Sequence, residues 1–565
     1  MDAMPSETTL TTCREALLAG DPRSAAEGLA RLVARNPADT EARYWLASAL
    51  AASGRGEDAG RALEDARTLH GLLAAQRMGV DTRRLGNDGD YAARAARELY
   101  AAHHVAMAGV LFGRAIAAGH LSQDALLAFG LALQHQGRAE EAIRVFRAAL
   151  ETYPSAAVHQ FMLFPHFHVE NGPARYAAEA RAWALRWAPE AAAPIFANTP
   201  SAGRKLRIGY VAPSFCGTQV RQFITPILES HDPGAVEVTL YPAKAESESG
   251  WPSHIAVRGI GHLPDAEAAA SIRAEGIDLL VDCWGHSAGS RLAMFAHRPA
   301  PVQVAWINFV QTTGLGCMDY VLHSDSMAAP GTEALFTEKV RSMGPITIPY
   351  RPLANRPPPW PAPALARGQV TFGAFSHPAR LSDATIRAWG RILRGAPTAR
   401  LVLKYRYFVD PVLQRATQAR FAAERVAPER IEFRTESAGA EYLAAFSEID
   451  LALDPSPCPG GTTTCDALAM GVPVLTLAGA DFYARIGLQC LIAAGLPKLI
   501  TESWDAYVAK AVALAEDAPG LAALRARVRP GIDNGPFTDE VGFTRKLEAV
   551  FREMFDERQA MPAAA

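Results

Sequence analysis

Four short runs decide the fold: KLRIGYVAP (205–213), VEVTLYPA (236–243), IDLLVDCWG (277–285) and PVQVAWINF (301–309). Each is β-branched or aromatic and apolar at nearly every position. The stretches between them, AEAAASIRAEG (266–276) and SRLAMFAHR (290–298), carry helical spacing instead. Strands that are apolar on both faces, alternating with helices, predict a parallel sheet covered on both sides. Downstream, residues 349–363 hold seven prolines in fifteen positions, a composition that suits neither a helix interior nor a central strand. It reads as a connection between lobes, and the alternation resumes behind it with VTFGAFS (370–376), ARLVLKYR (399–406), RIEFRT (430–435), IDLALDP (449–455) and VPVLTLAG (472–479). Two doubly wound lobes in tandem are predicted, with ligands bound at the carboxyl ends of the strands. The closing helix, FTDEVGFTRKLEAVFREMFDER (537–558), is expected to fold back onto the first lobe.

Upstream of Lys205 the period changes to that of paired helices. In DALLAFGLALQHQGRAEEAIRVFRAALETYP (124–154), small or apolar residues stand where a tetratricopeptide pair needs them: Leu126, Phe129, Gly130, Leu133, Gly137, Ala142, Phe146, Ala149 and Pro154. Gly130 and Ala142 allow the two helices to approach closely, and Pro154 ends the pair. A second copy runs from about Thr40 to Ala66. Ala25, Leu29, Leu32 and Pro37 match the second half of a third. Residues 71–122 are helical in pattern but out of register. The alternative is an ordinary bundle of alanine-rich helices. The expected division is therefore a repeat domain at 1–200, a first lobe at 201–348, a proline-rich linker at 349–368 and a second lobe at 369–565. Stacked pairs form a groove suited to a protein partner.

Bulk properties narrow the function. With 56 Lys+Arg against 59 Asp+Glu the net charge is −3, so no basic footprint for nucleic acid stands out. Cys13, Cys216, Cys283, Cys317, Cys458, Cys465 and Cys490 are scattered, odd in number and lack metal-ligand spacing, which argues against a disulfide framework or a structural zinc site. MDAMPSETTL has no basic, apolar leader, and no run approaches a membrane span. A cytoplasmic protein is expected.

The sharpest local signal is SPCPGGTTTCDALAMGVPVLTLAG (456–479). Gly460 and Gly461 free the backbone to turn, Thr462, Thr463 and Thr464 offer amides and hydroxyls, and a helix begins at once. Such a start seats a phosphate; an N-cap after a tight turn would need the same residues. Asp466 could accept from ribose hydroxyls. Neither a Walker A Gly-Lys-Ser/Thr nor a GxGxxG after the first strand is present. In the first lobe, Asp282 and His286 flank a strand end, where His286 could orient a hydroxyl or take a proton. Thr312 and Thr313, in QTTGLGCMDY (311–320), would make another loop of close approach. Arg380 and Lys404 are the candidate cations for phosphate in the second lobe.

Taken together, LRIGYVAPSF, DLLVDCWGHSAGSRLAMFAHRPAPVQVAWINF, MDYVLHSD, VTFGAFSHPARLS and GGTTTCDALAMGVPVLTLAG resemble the bacterial SPINDLY-type, O-GlcNAc-transferase-like members of glycosyltransferase family 41 over nearly the whole chain. The resemblance implies a helical-repeat domain followed by a GT-B fold, and inverting transfer of a sugar from a nucleotide donor to Ser or Thr of a protein, with no metal or other cofactor. It places the donor diphosphate at Thr462–Thr464, the ribose at Asp466 and the acceptor in the repeat groove, and it matches Arg380 to a phosphate-contacting lysine. The chain departs from the family pattern at Thr218 (usually His), at Val310-Gln311-Thr312-Thr313-Gly314 (usually Pro-Gly-Thr-Ser/Thr-Gly), at Tyr442 (usually His) and at Gly461 (often His or Thr). These departures point to a donor other than UDP-GlcNAc, with a CMP-nonulosonic acid the candidate if the acceptor is flagellin. The expected partners are a UDP- or CMP-sugar and a protein acceptor, and a homo-oligomer is compatible with both. The competing functions are a repeat scaffold that has lost catalysis and a transferase acting on a small molecule or glycolipid.

Overall fold

The structure is a computed structural model and describes residues 8–191, 194–199, 203–244, 250–307, 311–329 and 331–560. The opening residues 1–7, the residues 200–202 on which the expected first boundary falls, and Val310 of the departing loop lie outside that set. The chain forms two compact units, one of residues 1–154, 360–456 and 501–525 and one of residues 155–359, 457–500 and 526–565.

The first unit opens with four helix pairs: α1 (Leu10–Ala19) and α2 (Pro22–Arg35), α3 (Thr40–Ala52) and α4 (Gly56–Arg77), α5 (Gly89–Ala101) and α6 (Val105–Ala117), α7 (Gln123–His135) and α8 (Ala139–Thr152). Capping follows the sequence: Asp21, Asp39, Asp88 and Ser122 each accept from a backbone N–H in the first turn of α2, α3, α5 and α7. A Cβ on Gly130 of α7 would stand 2.4 Å from the Phe146 ring of α8. The close approach read from the sequence is therefore real, and Phe146 fills the space inside its own pair.

In the second unit, the helices Ala156–Leu163 and Gly172–Trp187, joined by the 3-10 turn Phe164–His168, accompany a seven-stranded parallel sheet. Its strands are β1 (Leu206–Ala212), β2 (Val236–Pro242), β3 (Ile255–Val257), β4 (Leu279–Asp282), β5 (Val302–Ala305), β6 (Tyr320–His323) and β7 (Lys339–Ser342), in the order β3-β2-β1-β4-β5-β6-β7. Winding runs outward in both directions from the β1/β4 pair, where Val211 is in register with Asp282. The carboxyl ends of β1 and β4 are thus the switch point of the sheet. Trp183 joins Tyr241, Leu280, Phe295 and Val321 in one buried cluster. The closing helix Glu540–Ala560 packs on this unit as expected. Glu548 accepts from the Asp232 amide at 2.9 Å and pairs with His231 Nδ1 at 2.9 Å, and Glu557 accepts from the Tyr320 hydroxyl.

The first unit also holds β8 (Thr371–Ala374), β9 (Arg400–Lys404), β10 (Ile431–Arg434) and β11 (Leu451–Leu453), parallel and ordered β10-β9-β8-β11. Its helix Pro411–Ala423 lies against α3 and α4. Ser48 Oγ donates to the Ala419 carbonyl, and Ala416 and Ala419 pack on Tyr44, Leu63 and Ala66. The wholly buried Asp410 caps two helices at once. Oδ2 accepts from Ala106 N and Met107 N of α6 at 2.7 and 3.0 Å, and Oδ1 from Val412 N and Leu413 N at 2.8 and 3.3 Å.

Candidate functional site

The expected site residues of the second unit lie in loops, in the helix that begins at Thr462 and, for Asp282, at the end of β4. The helix Thr462–Ala469 begins directly after Gly461, which has no side chain with which to cap it. Thr462 and Thr463 are half-buried and Thr464 is buried. An amino-terminus without a side-chain cap presents N–H groups and the positive end of the helix dipole, the arrangement that accepts a phosphate. The turn before it is anchored: Cys458 Sγ sits 3.4 Å from both the Phe167 carbonyl and His168 Nδ1, and the Phe167 ring is stacked between Tyr176 (4.9 Å) and Tyr483 (4.2 Å).

Asp466 lies in this helix, buried. Its Oδ1 accepts from the Tyr350 hydroxyl at 2.6 Å and, more weakly, from Gln222 Nε2 at 3.4 Å. Tyr350 is itself fixed by its amide, which donates to Phe537 O at 2.9 Å, and by the rings of Phe223 and Phe537. Sequence reasoning missed this partner because Tyr350 stands in a proline-rich stretch that looks like a plain connection.

On the first sheet, Asp282 is the last residue of β4, at the switch point, and is 1% exposed. Oδ2 accepts from Gly285 N at 2.7 Å, whereas Oδ1 finds no hydrogen-bond partner among the described residues. Burial pushes its pKa up to about 7, against a weaker pull downward from the Gly285 and Trp284 amides. His286 Nε2 lies 2.8 Å from the Thr313 carbonyl. A carbonyl can only accept, so Nε2 carries the proton. Burial lowers the pKa of the ring to about 4, which leaves it neutral at pH 7. The rings of Trp183 and Tyr176 meet it edge-on.

The loop that holds Thr312 and Thr313 is pinned from several sides. Buried Glu338, just before β7, accepts from Thr312 Oγ1 and Thr313 N at 2.7 Å each and from Thr313 Oγ1. The Tyr176 hydroxyl donates to the Thr312 carbonyl at 3.1 Å. Gly314 has φ +77, and a Cβ there would stand 2.4 Å from the Ala180 backbone, so the loop lies directly on the helix Gly172–Trp187. Both threonine hydroxyls are thus directed at a carboxylate of the protein itself. Gln311 differs: it is 1% exposed, and neither Oε1 nor Nε2 has a hydrogen-bond partner among the described residues.

Arg380 and Lys404 belong to the other unit. Arg380 ends the 3-10 turn Pro378–Arg380, which His377 Nδ1 caps by accepting from Ala379 N at 3.0 Å. That acceptance leaves the proton on His377 Nε2, which donates to His135 Nδ1 at 2.9 Å; His135 Nε2 in turn donates to the Tyr100 hydroxyl at 2.9 Å. Lys404 ends β9, is mostly buried and donates to the Thr435 carbonyl, and burial lowers its pKa. Tyr442 packs edge-on against Phe446. Thr218 opens the helix Thr218–Ser230. Among the described residues no group of three or more His, Cys, Asp or Glu is arranged to hold a metal, and no helix is long and apolar enough to cross a membrane.

Comparison with known proteins gives this geometry a context. Residues 136–347 and 363–545 match the model of glycosyl transferase family 41, and residues 16–70 match a tetratricopeptide repeat model. The chain is 34% identical over 369 residues to a probable UDP-N-acetylglucosamine–peptide N-acetylglucosaminyltransferase SPINDLY of Petunia hybrida, covering 63% of this chain and 39% of that one. A UDP-N-acetylglucosamine–peptide N-acetylglucosaminyltransferase of Caenorhabditis elegans is 22% identical, covering 71% and 45%. The chain therefore spans less than half the length of these curated relatives. A solved structure of a mutant Thermobaculum terrenum O-GlcNAc transferase aligns over 98% of this chain and 99% of that one, with TM-score 0.74 and 29% identity.

Proposed function

The chain belongs to glycosyl transferase family 41, and from that membership and the site geometry we propose that it transfers a sugar from a UDP-sugar to Ser or Thr hydroxyls of a protein. The observation that carries the proposal is the start of the helix Thr462–Ala469: no side chain caps it, threonines line it, and a buried Asp466 in the same helix is held by Tyr350. The amides and hydroxyls of Thr462–Thr464 take the donor diphosphate, and Asp466 takes the ribose. UDP-N-acetylglucosamine is the first donor to test, since it is the donor for which the relatives are named.

Inverting transfer is one in-line displacement. The acceptor oxygen attacks the anomeric carbon as the bond to the diphosphate breaks, and the acceptor proton leaves to a base or to the departing phosphate. No protein nucleophile is required, so the site's task is to orient the hydroxyl and to stabilise charge on the leaving group. Neutral His286, whose Nε2 proton is committed to the Thr313 carbonyl, holds the Thr312–Gly314 loop in place. Asp282, an acid near neutrality, is suited to donate a hydrogen bond to a substrate oxygen. Arg380 and Lys404 are cation candidates for phosphate on the strength of the resemblance.

The test is to incubate the full chain with UDP-N-acetylglucosamine and a panel of candidate acceptor proteins, and to measure intact masses. An added N-acetylhexosamine on a serine or threonine is expected. Failure of UDP to bind the chain at all would remove the donor reading and favour a scaffold.

A further inference from the structure

Residues 312–314, downstream of β5, are held to an unusual degree. Glu338 receives both threonine hydroxyls and one amide, Tyr176 and His286 hold the two carbonyls, and Gly314 rests on the Ala180 backbone. A segment fixed this way spends its polar groups inside the protein. Gln311 does not. It is 1% exposed, yet both ends of its amide lack a partner among the described residues. A buried polar group left unpaired costs stability, and pairing with a bound ligand is one reason a folded chain retains it. A second orphan lies on the neighbouring strand: β4 and β5 are in register, with Asp282 opposite Ala305, and Asp282 Oδ1 is also unpaired. The unpaired groups therefore follow adjacent strands at their carboxyl ends, next to the switch point where ligands of such sheets bind.

We propose that the Gln311 side-chain amide is a specificity-determining group that reads a polar substituent, a hydroxyl or an acetamido group, on the sugar being transferred. The inference rests on the donor reading given under Proposed function. An amide offers a donor and an acceptor in one plane, so it pairs with a group that both gives and accepts a hydrogen bond. The lock on Thr312 and Thr313 supplies the rigidity such reading needs, because an amide on a loose loop would lose its discrimination to loop entropy.

The experiment compares the wild-type chain with Gln311→Met, an unbranched side chain of similar length without the amide. Melting temperature is measured without ligand, and dissociation constants are measured calorimetrically for UDP, UDP-N-acetylglucosamine and UDP-glucose. The unliganded variant should melt higher than wild type, since an orphan is removed. Its affinity for UDP should change less than twofold. The affinity that at least one sugar adds over UDP in the wild type should fall about tenfold in the variant, the scale of one neutral hydrogen bond. A lower melting temperature in the variant, an unchanged ratio of UDP-sugar to UDP affinity, or a wild type to which neither sugar adds affinity would each overturn the inference. Wild-type chain that does not bind UDP would instead refute the nucleotide site itself, so the two failures are distinguishable.

Discussion

Replacing Asp282 by Asn should make the protein more stable at alkaline pH and leave it nearly unchanged in acid. In the fold this carboxyl is buried at the end of β4, with Oδ2 on the Gly285 amide and Oδ1 unpaired, and its pKa rises from the ordinary 3.8 to about 7. A raised carboxyl pKa means that the folded state holds the proton after the unfolded chain has lost it. Stability therefore falls as pH climbs from about 4 to about 7 and is level above that. At about 1.4 kcal/mol per pH unit, the total approaches roughly 4 kcal/mol. Asn is neutral throughout, keeps an oxygen for the Gly285 amide and titrates nowhere, so the wild-type penalty disappears. The assay is the denaturation midpoint of both proteins at intervals from pH 4.5 to 8.5. Groups that titrate in both proteins cancel in the difference, so the variant's advantage should grow from near zero to a plateau above pH 7. A difference that is flat with pH, or that favours wild type increasingly above pH 5, would show an ionised, well-compensated carboxylate and refute the reasoning.

Tyr350→Phe removes the hydroxyl that orients Asp466 and should weaken UDP binding about five- to tenfold, the scale of one hydrogen bond. Asp466→Asn should cost at least as much, and the double variant no more than Asp466→Asn alone; calorimetric titrations that show simple additivity would separate the two residues. Asp410→Ala deprives Ala106, Met107, Val412 and Leu413 amides of their acceptor and should cost about 2–4 kcal/mol in urea unfolding followed in the first unit. Gly130→Ala should destabilise by about 1–3 kcal/mol despite the better helix propensity of Ala, because the new methyl meets the Phe146 ring at 2.4 Å. A rise in melting temperature there would mean the ring can move aside.

What could be read from the sequence was what repeats or alternates locally. Strands β1, β2, β4 and β5 announce themselves because both faces are covered and nearly every residue is apolar, whereas β7 (Lys339–Ser342), with charged and polar residues at the sheet edge, gives no such pattern. Gly130 and Phe146 were legible because a helix pair places them at fixed offsets. Residues 155–187 read as a continuation of the repeats, since helical periodicity is the same whatever a helix packs against; their partner, the first sheet, is a tertiary fact. Glu338 and Tyr350 were illegible for a related reason. A single glutamate in FTEKVRS looks like a solvated charge, and its meaning comes from threonines about 25 residues earlier. The Tyr350 hydroxyl meets its partner 116 residues later. Thr312 and Thr313 were visible as polar loop residues, but nothing local says that an internal carboxylate takes their hydroxyls.

The use the first unit makes of its own repeats bears on how an acceptor could be recognised. The helix Pro411–Ala423 occupies a face of α3 and α4 that an isolated repeat pair would leave open. Arg415 lies over the rings of Tyr44 and Trp45, Ser48 is bonded to the Ala419 carbonyl, and Asp410 closes the start of α6. A peptide that bound those residues would have to displace a buried contact made of alanines and a doubly capping carboxylate. If the repeats recognise an acceptor, they do so on faces that this helix leaves uncovered. Removing residues 1–154 is accordingly a poor test of acceptor binding. It would expose Ala416, Ala419 and Ala422 and strip two amide partners from Asp410, so lost activity would report on the integrity of the rest of the first unit as much as on the acceptor. Point substitutions on the exposed sides of α2 and α8, which leave that contact intact, separate the two effects. A loss of protein labelling with UDP affinity unchanged would place the acceptor on the repeats, whereas unchanged labelling across both helices would move it elsewhere.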